Sequence, residues 1–196
     1  MRVILASKSP RRKEILRNLG VKFDVIVADA DESCDIADPL ERVGALAAIK
    51  GRAVLEKLGD EGSDCLIIAS DTLVYAGGEF LGKPRDKDDA RRMIEILSGK
   101  AHLVVSGLYL AFGGEEFTGA SATKVIFDKM TDAEIEDYIN SPEPYDKAGG
   151  YAVQGLASLY VSEIEGDYFN VVGLPVNLMY KSLKSKFGIE LNSLKA

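Results

Sequence analysis

Two spacings of apolar residues alternate along this chain. Val3, Ile4, Leu5 and Ala6 form a short continuous apolar run, as a buried strand does. Ser9 and Pro10 follow as a helix cap and a first-turn proline. Ile15, Leu16 and Leu19 then recur at helical spacing until Gly20. Residues 23–27 alternate and predict a returning strand. Asp38 and Pro39 open a longer helix with Leu40, Val43, Leu46, Ala47, Val54 and Leu58 on its apolar side and Gly59 at its end. Gly44 and Gly51 interrupt that pattern and predict a bend or a close packing contact.

Leu66, Ile67, Ile68 and Ala69 read as a central strand that delivers Ser70, Asp71 and Thr72 to its end. Residues 73–80 predict a hairpin turning at Gly77-Gly78, and Asp86 opens a helix through Leu97. Residues 103–112 and 117–127 predict a strand pair joined at Gly113-Gly114. Thr131 and Glu134 have the spacing of a capping box, with Met130 and Ile135 placed for a hydrophobic staple. Residues 159–164 predict a strand, and Pro175 starts a last helix ending near Gly188. Helices, hairpins and crossovers are interleaved, so the expected fold is α/β with a mixed sheet, not a plain doubly wound parallel one. With no repeat, low-complexity tract or long linker, residues 1–196 read as one cooperative body with room for a cleft.

Of the 196 residues, 46% are apolar and 28% charged, which permits a substantial core and excludes wholesale disorder. The net charge of -7 argues against non-specific binding to a nucleic acid polymer. Two cysteines, Cys34 and Cys65, cannot build a disulfide framework and predict a reducing compartment. The first basic residues follow a very short apolar run, the reverse of a secretory signal, and no apolar stretch reaches 18 residues. The expectation is a cytoplasmic protein without a membrane span.

Net charge hides a sharp local asymmetry. Residues 1–22 carry seven basic side chains against Glu14 alone, whereas residues 24–41 carry seven carboxylates. These segments are either two solvated faces or a phosphate site beside a metal site. In the first, Ser7, Lys8, Ser9, Arg11 and Arg12 surround a helix start, where amides, hydroxyls and guanidinium forks suit phosphate oxygens; a capped helix with surface arginines is the alternative. In the second, Asp29, Asp31, Glu32 and Asp35 form either a divalent-cation site or an ordinary acidic loop.

Asp71, just beyond an apolar strand, is placed to bind Mg²⁺, to take a proton from water, or merely to cap the following turn. Lys83-Pro84-Arg85 offers two further phosphate donors but lacks the P-loop pattern. Lys50 reads as a distant phosphate partner or a surface lysine. The only histidine, His102, reads as structural. Gln154, in a glycine-rich stretch with Tyr151 nearby, could read a base edge with its amide, or the stretch could be a tight buried turn.

Taken in order, the stretches ASKSPRRKEIL, VADADES, AIKGRA, ASDTLV, LGKPRD, LSGKAH, SPEPYDKAGGYAVQG and GDYFNVVGLP closely resemble the Maf family of nucleoside triphosphate pyrophosphatases. The resemblance runs from the first apolar run to Pro175. It implies a two-lobed α/β fold related to the inosine triphosphate pyrophosphatases, with the nucleotide in a cleft between lobes. It also implies a homodimer and hydrolysis of a nucleoside triphosphate between the α and β phosphates with Mg²⁺ or Mn²⁺. The family's proton-accepting aspartate falls on Asp71 and its acidic metal-site residue on Glu32; Asp71 is read as a metal ligand beside Glu32, as the base, or as both. Ser7, Arg12, Lys50 and Lys83 match its phosphate-contacting positions. Arg11, Thr72 and Gln154 stand where the branch resembling dTTP/UTP pyrophosphatases has its base-selecting residues. Lys8 and Gly150 depart from a common small residue and a common alanine. The role implied is removal of modified or surplus nucleotides; the alternative is a nucleotide-sensing regulator of cell division and septum formation.

Overall fold

Ile4 of strand β1 (Arg2–Leu5) pairs with two strands at once: with Asp24 of β2 (Asp24–Val25) and with Ile67 of β3 (Cys65–Ala76), both in parallel. Parallel neighbours need crossovers, which are helix α1 (Pro10–Asn18) and helix α2 (Pro39–Leu58). The structure, a computed structural model, describes residues 1–195. β4 (Glu79–Leu81) folds back on β3 with Val74 opposite Leu81, turning through Gly77 and Gly78 at φ 61° and 86°. Two successive positive φ angles make this the turn whose twist suits a hairpin.

Helix α3 (Lys87–Leu97) leads to the long hairpin of β5 (Ala101–Phe112) and β6 (Glu115–Phe127). Helix α4 (Asp132–Ile139), β7 (Val161–Glu165), α5 (Tyr168–Val172) and α6 (Val176–Phe187) complete the elements. The strand order is β2-β1-β3-β5-β6-β7, with β4 paired to β3. The sheet is mixed, since β7 runs antiparallel to β6.

The chain divides into two compact units. The first holds Met1–Asp71, Ser106–Ser121 and the chain from Gly173 onward. Its core gathers Ile4, Ala47, Val54, Ile67, Ala69 and Tyr109. Here α2 lies against β5 at backbone distance: a β-carbon on Gly107 would overlap the Val43 carbonyl, and one on Gly51 would overlap the Tyr109 ring. Gly51 thus supplies the close packing contact that the interrupted helix pattern predicts. The second unit holds Thr72–Val105 and Ala122–Val172. Its core gathers Val74, Leu81, Ile94, Leu97, Phe127 and Tyr138. Thr131 and Glu134 form the predicted capping box, and Met130 and Ile135 are both buried.

Four expectations need correction. β3 continues through Asp71 and Thr72 to Ala76, so Asp71 stands within the strand and not at its end. The polar triplet interrupts the apolar run without ending the strand, and the β-formers after it carry the strand on. β2 is only two residues long, and its Val25 is exposed. The predicted strand at 159–164 begins at Val161, because Leu156–Leu159 is a 3-10 helix. Leu40, expected on the apolar side of α2, is exposed in that helix's first turn.

Candidate active site

Within the first unit, the segment after β1 turns into α1 around two serines. Ser9 caps the helix, its hydroxyl accepting from the Arg12 amide at 3.5 Å, and Pro10 occupies the first turn. The Ser7 hydroxyl accepts from the Ser9 amide at 3.2 Å and from Arg12 Nη1 at 3.0 Å. Arg12 Nε donates to the Gly173 carbonyl at 2.7 Å, which also accepts from the buried Ser70 hydroxyl at 3.1 Å. The guanidinium is thereby fixed in orientation by partners 5 and 161 residues away. Desolvation, the dominant influence, lowers its pKa; the fields of Asp71 and Glu32 oppose that shift and the field of Arg11 adds to it.

Lys50 projects from α2 to the same neighbourhood. Its ammonium hydrogen-bonds Asp71 and lies 3.0 Å from Glu32 Oε2. The Asp71 side chain is 14% exposed and that of Glu32 is 52% exposed, so one carboxylate is held inside the unit while the other stays open to solvent. Ser7, Arg11, Arg12, Glu32, Lys50 and Asp71 therefore form one electrostatic group. The rest of the acidic cluster does not join it. Asp31 accepts the Ser33 amide at 2.9 Å, and hydrogen bonding from the Ser33 hydroxyl first and its amide second lowers the Asp31 pKa; Asp29 lines an open cavity of about 510 Å³ with Lys8 and Lys57. Among the described residues, no group of three or more His, Cys, Asp or Glu side chains is arranged to hold a metal.

Within the second unit, Thr72 follows on β3 and Lys83 lies just past β4. The Gly82 carbonyl accepts from the Gly149 amide at 2.9 Å, joining the backbone beside Lys83 to the glycine-rich stretch. Gly149 has φ 70°, and a β-carbon there would lie 2.8 Å from Val74 Cγ2, so both conformation and space require glycine. Gln154 sits in a turn closed by the Gly155 amide on the Ala152 carbonyl at 3.0 Å. Gln154 and Lys83 are exposed and make no side-chain hydrogen bond or ion pair among the described residues. Arg85, read from the sequence as a second phosphate donor, is instead committed to Asp89, with Nε 3.0 Å from Oδ2. His102 is buried, its Nε2 2.7 Å from the Tyr151 hydroxyl, and burial depresses its pKa to about 4.

Sequence reasoning missed Ser70 and Gly173, whose part in orienting Arg12 rests on a carbonyl oxygen and a distant hydroxyl. It also missed Glu143, which carries no motif spacing of its own. Both Gly173 and Glu143 do fall inside the stretches that carry the family resemblance.

Fold and site together describe a mixed-sheet α/β protein with a guanidinium, an ammonium and two carboxylates gathered in one unit. The chain belongs to the Maf-like protein family, whose model matches residues 2–186. It is 43% identical over 187 residues to a dTTP/UTP pyrophosphatase of Thermococcus kodakarensis, covering 95% of this chain and 98% of that one. It is 45% identical over 193 residues to a dTTP/UTP pyrophosphatase of Alkaliphilus metalliredigens, covering 97% and 98%. Among solved structures, the Staphylococcus aureus Ham1 protein superposes with a TM-score of 0.55 at 12% identity, over 95% of this chain and 100% of that one. That likeness concerns the fold alone. No helix among the described residues is long and apolar enough to cross a membrane.

Proposed function

We propose that this protein hydrolyses dTTP and UTP between the α and β phosphates, releasing the nucleoside monophosphate and pyrophosphate and clearing surplus or modified nucleotides. The observation that carries the reading is the convergence of Glu32 and Asp71 on the Lys50 ammonium, in the same unit as the oriented guanidinium of Arg12. The substrate class comes from the relatives, both of them dTTP/UTP pyrophosphatases.

Asp71 accepts the proton of the attacking water as its oxygen bonds to the α-phosphorus and the bond to the bridging oxygen breaks. Pyrophosphate leaves with that bridging oxygen. Ser7, Arg12, Lys50 and Lys83 hold the phosphate oxygens, Ser7 through its hydroxyl and the other three through positive charge, which is worth most where water is excluded. Arg11, Thr72 and Gln154 select the pyrimidine base.

A divalent cation, Mg²⁺ or Mn²⁺, belongs to this proposal, and the donor set suits one. Glu32 and Asp71 already face a common positive charge, and two carboxylates with substrate phosphates and water are an ordinary Mg²⁺ environment. When bound, the ion would offset charge on the departing pyrophosphate. The homodimer implied by the family resemblance is part of the same proposal and is read by sedimentation.

The test is pyrophosphate release from dTTP, UTP, dCTP, dATP and dGTP, with Mg²⁺, Mn²⁺ or chelator, beside Asp71→Asn. Metal-dependent release from dTTP and UTP, lost in the variant, is expected. Binding without release from any nucleotide would refute hydrolysis and favour nucleotide sensing.

A further inference from the structure

The glycine-rich stretch around Gln154 is tied down on both sides. Upstream, Tyr151 is buried with its hydroxyl 2.7 Å from His102 Nε2 and its ring edge-on to Phe127 at 4.9 Å. Downstream, one carboxylate holds the chain. Glu143 Oε2 accepts the Leu156 amide at 2.6 Å, and Oε1 accepts the Ala157 amide at 3.2 Å and the Tyr138 hydroxyl at 3.0 Å. These amides open the 3-10 helix Leu156–Leu159, whose first N–H groups have no partner within the helix. Between the two anchors lies only the turn Ala152–Gly155, closed at 3.0 Å, with Gln154 at its third position.

Gly155 makes the approach possible, since a β-carbon there would overlap the Glu143 carboxylate. The backbone that carries the carboxylate is itself held in place. The Glu143 amide donates to the Ser141 hydroxyl at 3.3 Å, and Lys147 Nζ donates to the Glu143 carbonyl at 2.8 Å. The Tyr138 hydroxyl also lies 3.1 Å from the Gly150 carbonyl, so Glu143 and the glycine pair share one anchor on α4.

The geometry points to Glu143 as a positioning residue for base selection: its carboxylate fixes the backbone after Gln154 and so sets where the Gln154 amide presents its donor and acceptor. The inference rests on the proposed function and extends it to a residue that touches no substrate. A side chain that reads a base edge discriminates only while its position is held, so a free turn would bind several bases with similar, weaker affinity.

The experiment compares kcat and KM for UTP and CTP in the full-length protein, Glu143→Ala, Glu143→Gln, Gln154→Ala and the Glu143→Ala/Gln154→Ala pair. Glu143→Ala is expected to narrow UTP-over-CTP discrimination about tenfold, mainly through a higher KM for UTP. Glu143→Gln, which keeps one carbonyl acceptor, is expected to fall between, and serves if the alanine variant does not fold. The double variant should discriminate no worse than Gln154→Ala alone, because both changes disable one device. In the nucleotide-free protein, amide exchange of Leu156 and Ala157 should accelerate in Glu143→Ala. If Gln154→Ala narrows discrimination while both Glu143 variants leave it unchanged, or if the two effects add, the positioning role is overturned. If the unaltered protein releases pyrophosphate from no nucleotide, the proposed function fails first and takes the selectivity claim with it; the exchange result then still reports whether the carboxylate holds the turn.

Discussion

Gly51 of α2 lies against the ring of Tyr109 on β5 so closely that any β-carbon at position 51 would overlap it. The contact sets how deep α2 sits, and the adjacent Lys50 reaches Asp71 from that depth. Gly51→Ala is therefore expected to push the helix outward. The cost is about 1–3 kcal/mol, typical of overpacking a filled site. Urea unfolding reads the stability, and pyrophosphate release should fall in parallel as Lys50 withdraws. Unchanged values of both would show that Tyr109 rotates away freely.

Removing the ammonium should expose the cost of a mostly enclosed carboxylate. Lys50→Met leaves Asp71 without its hydrogen-bonded partner and is expected to cost about 1–3 kcal/mol of stability along with activity. The paired change Lys50→Met/Asp71→Asn removes the stranded charge, so stability should recover while turnover stays absent. A double variant no more stable than Lys50→Met would mean that the pair contributes packing and not charge compensation.

Arg12→Lys tests whether orientation or charge matters in the guanidinium. Lysine keeps the charge but cannot donate to Gly173 from one edge while bonding Ser7 from another, as the guanidinium does at 2.7 and 3.0 Å. A rise in KM of about tenfold or more is expected, with kcat also lowered, from the proposed role of the fork in holding phosphate. Steady-state kinetics on UTP measures it. Full activity in Arg12→Lys would show that a point charge suffices.

His102 predicts a pH dependence of stability. Folded, its imidazole is depressed by burial to about 4; its ordinary value is 6.5. Between those values the unfolded chain binds the extra proton, so stability is full above pH 6.5 and falls as pH drops toward 4, by up to about 3 kcal/mol. Asp89, held at about 2 chiefly by its hydrogen bond from Arg85, titrates below that window. His102→Gln should flatten the profile between pH 6.5 and 4 relative to the unaltered protein. As His102 is the only histidine, its single imidazole NMR signal gives the folded pKa without assignment. A value near 6.5 would refute the burial argument.

Elements whose cause is local could be read along the chain. Ser9-Pro10, Asp38-Pro39, Asp86 and Thr131 begin helices because a capping side chain lies within three residues of the amides it satisfies. Gly77-Gly78 and Gly113-Gly114 turn hairpins because positive φ suits glycine. The chemical types in the candidate site could also be read, because cation and carboxylate clusters are properties of composition. Their pairing could not. Nothing in the spacing of Glu32, Lys50 and Asp71 says that one ammonium meets both carboxylates, whereas the Asp31–Ser33 and Arg85–Asp89 pairs are local, two and four residues apart. The reach of Lys50 depends on how deep α2 sits over β5, and the orientation of Arg12 on where the Gly173 carbonyl comes to lie. A hydrogen bond across 161 residues leaves no periodic trace in a sequence, so the partners of Arg12 had to be found in space.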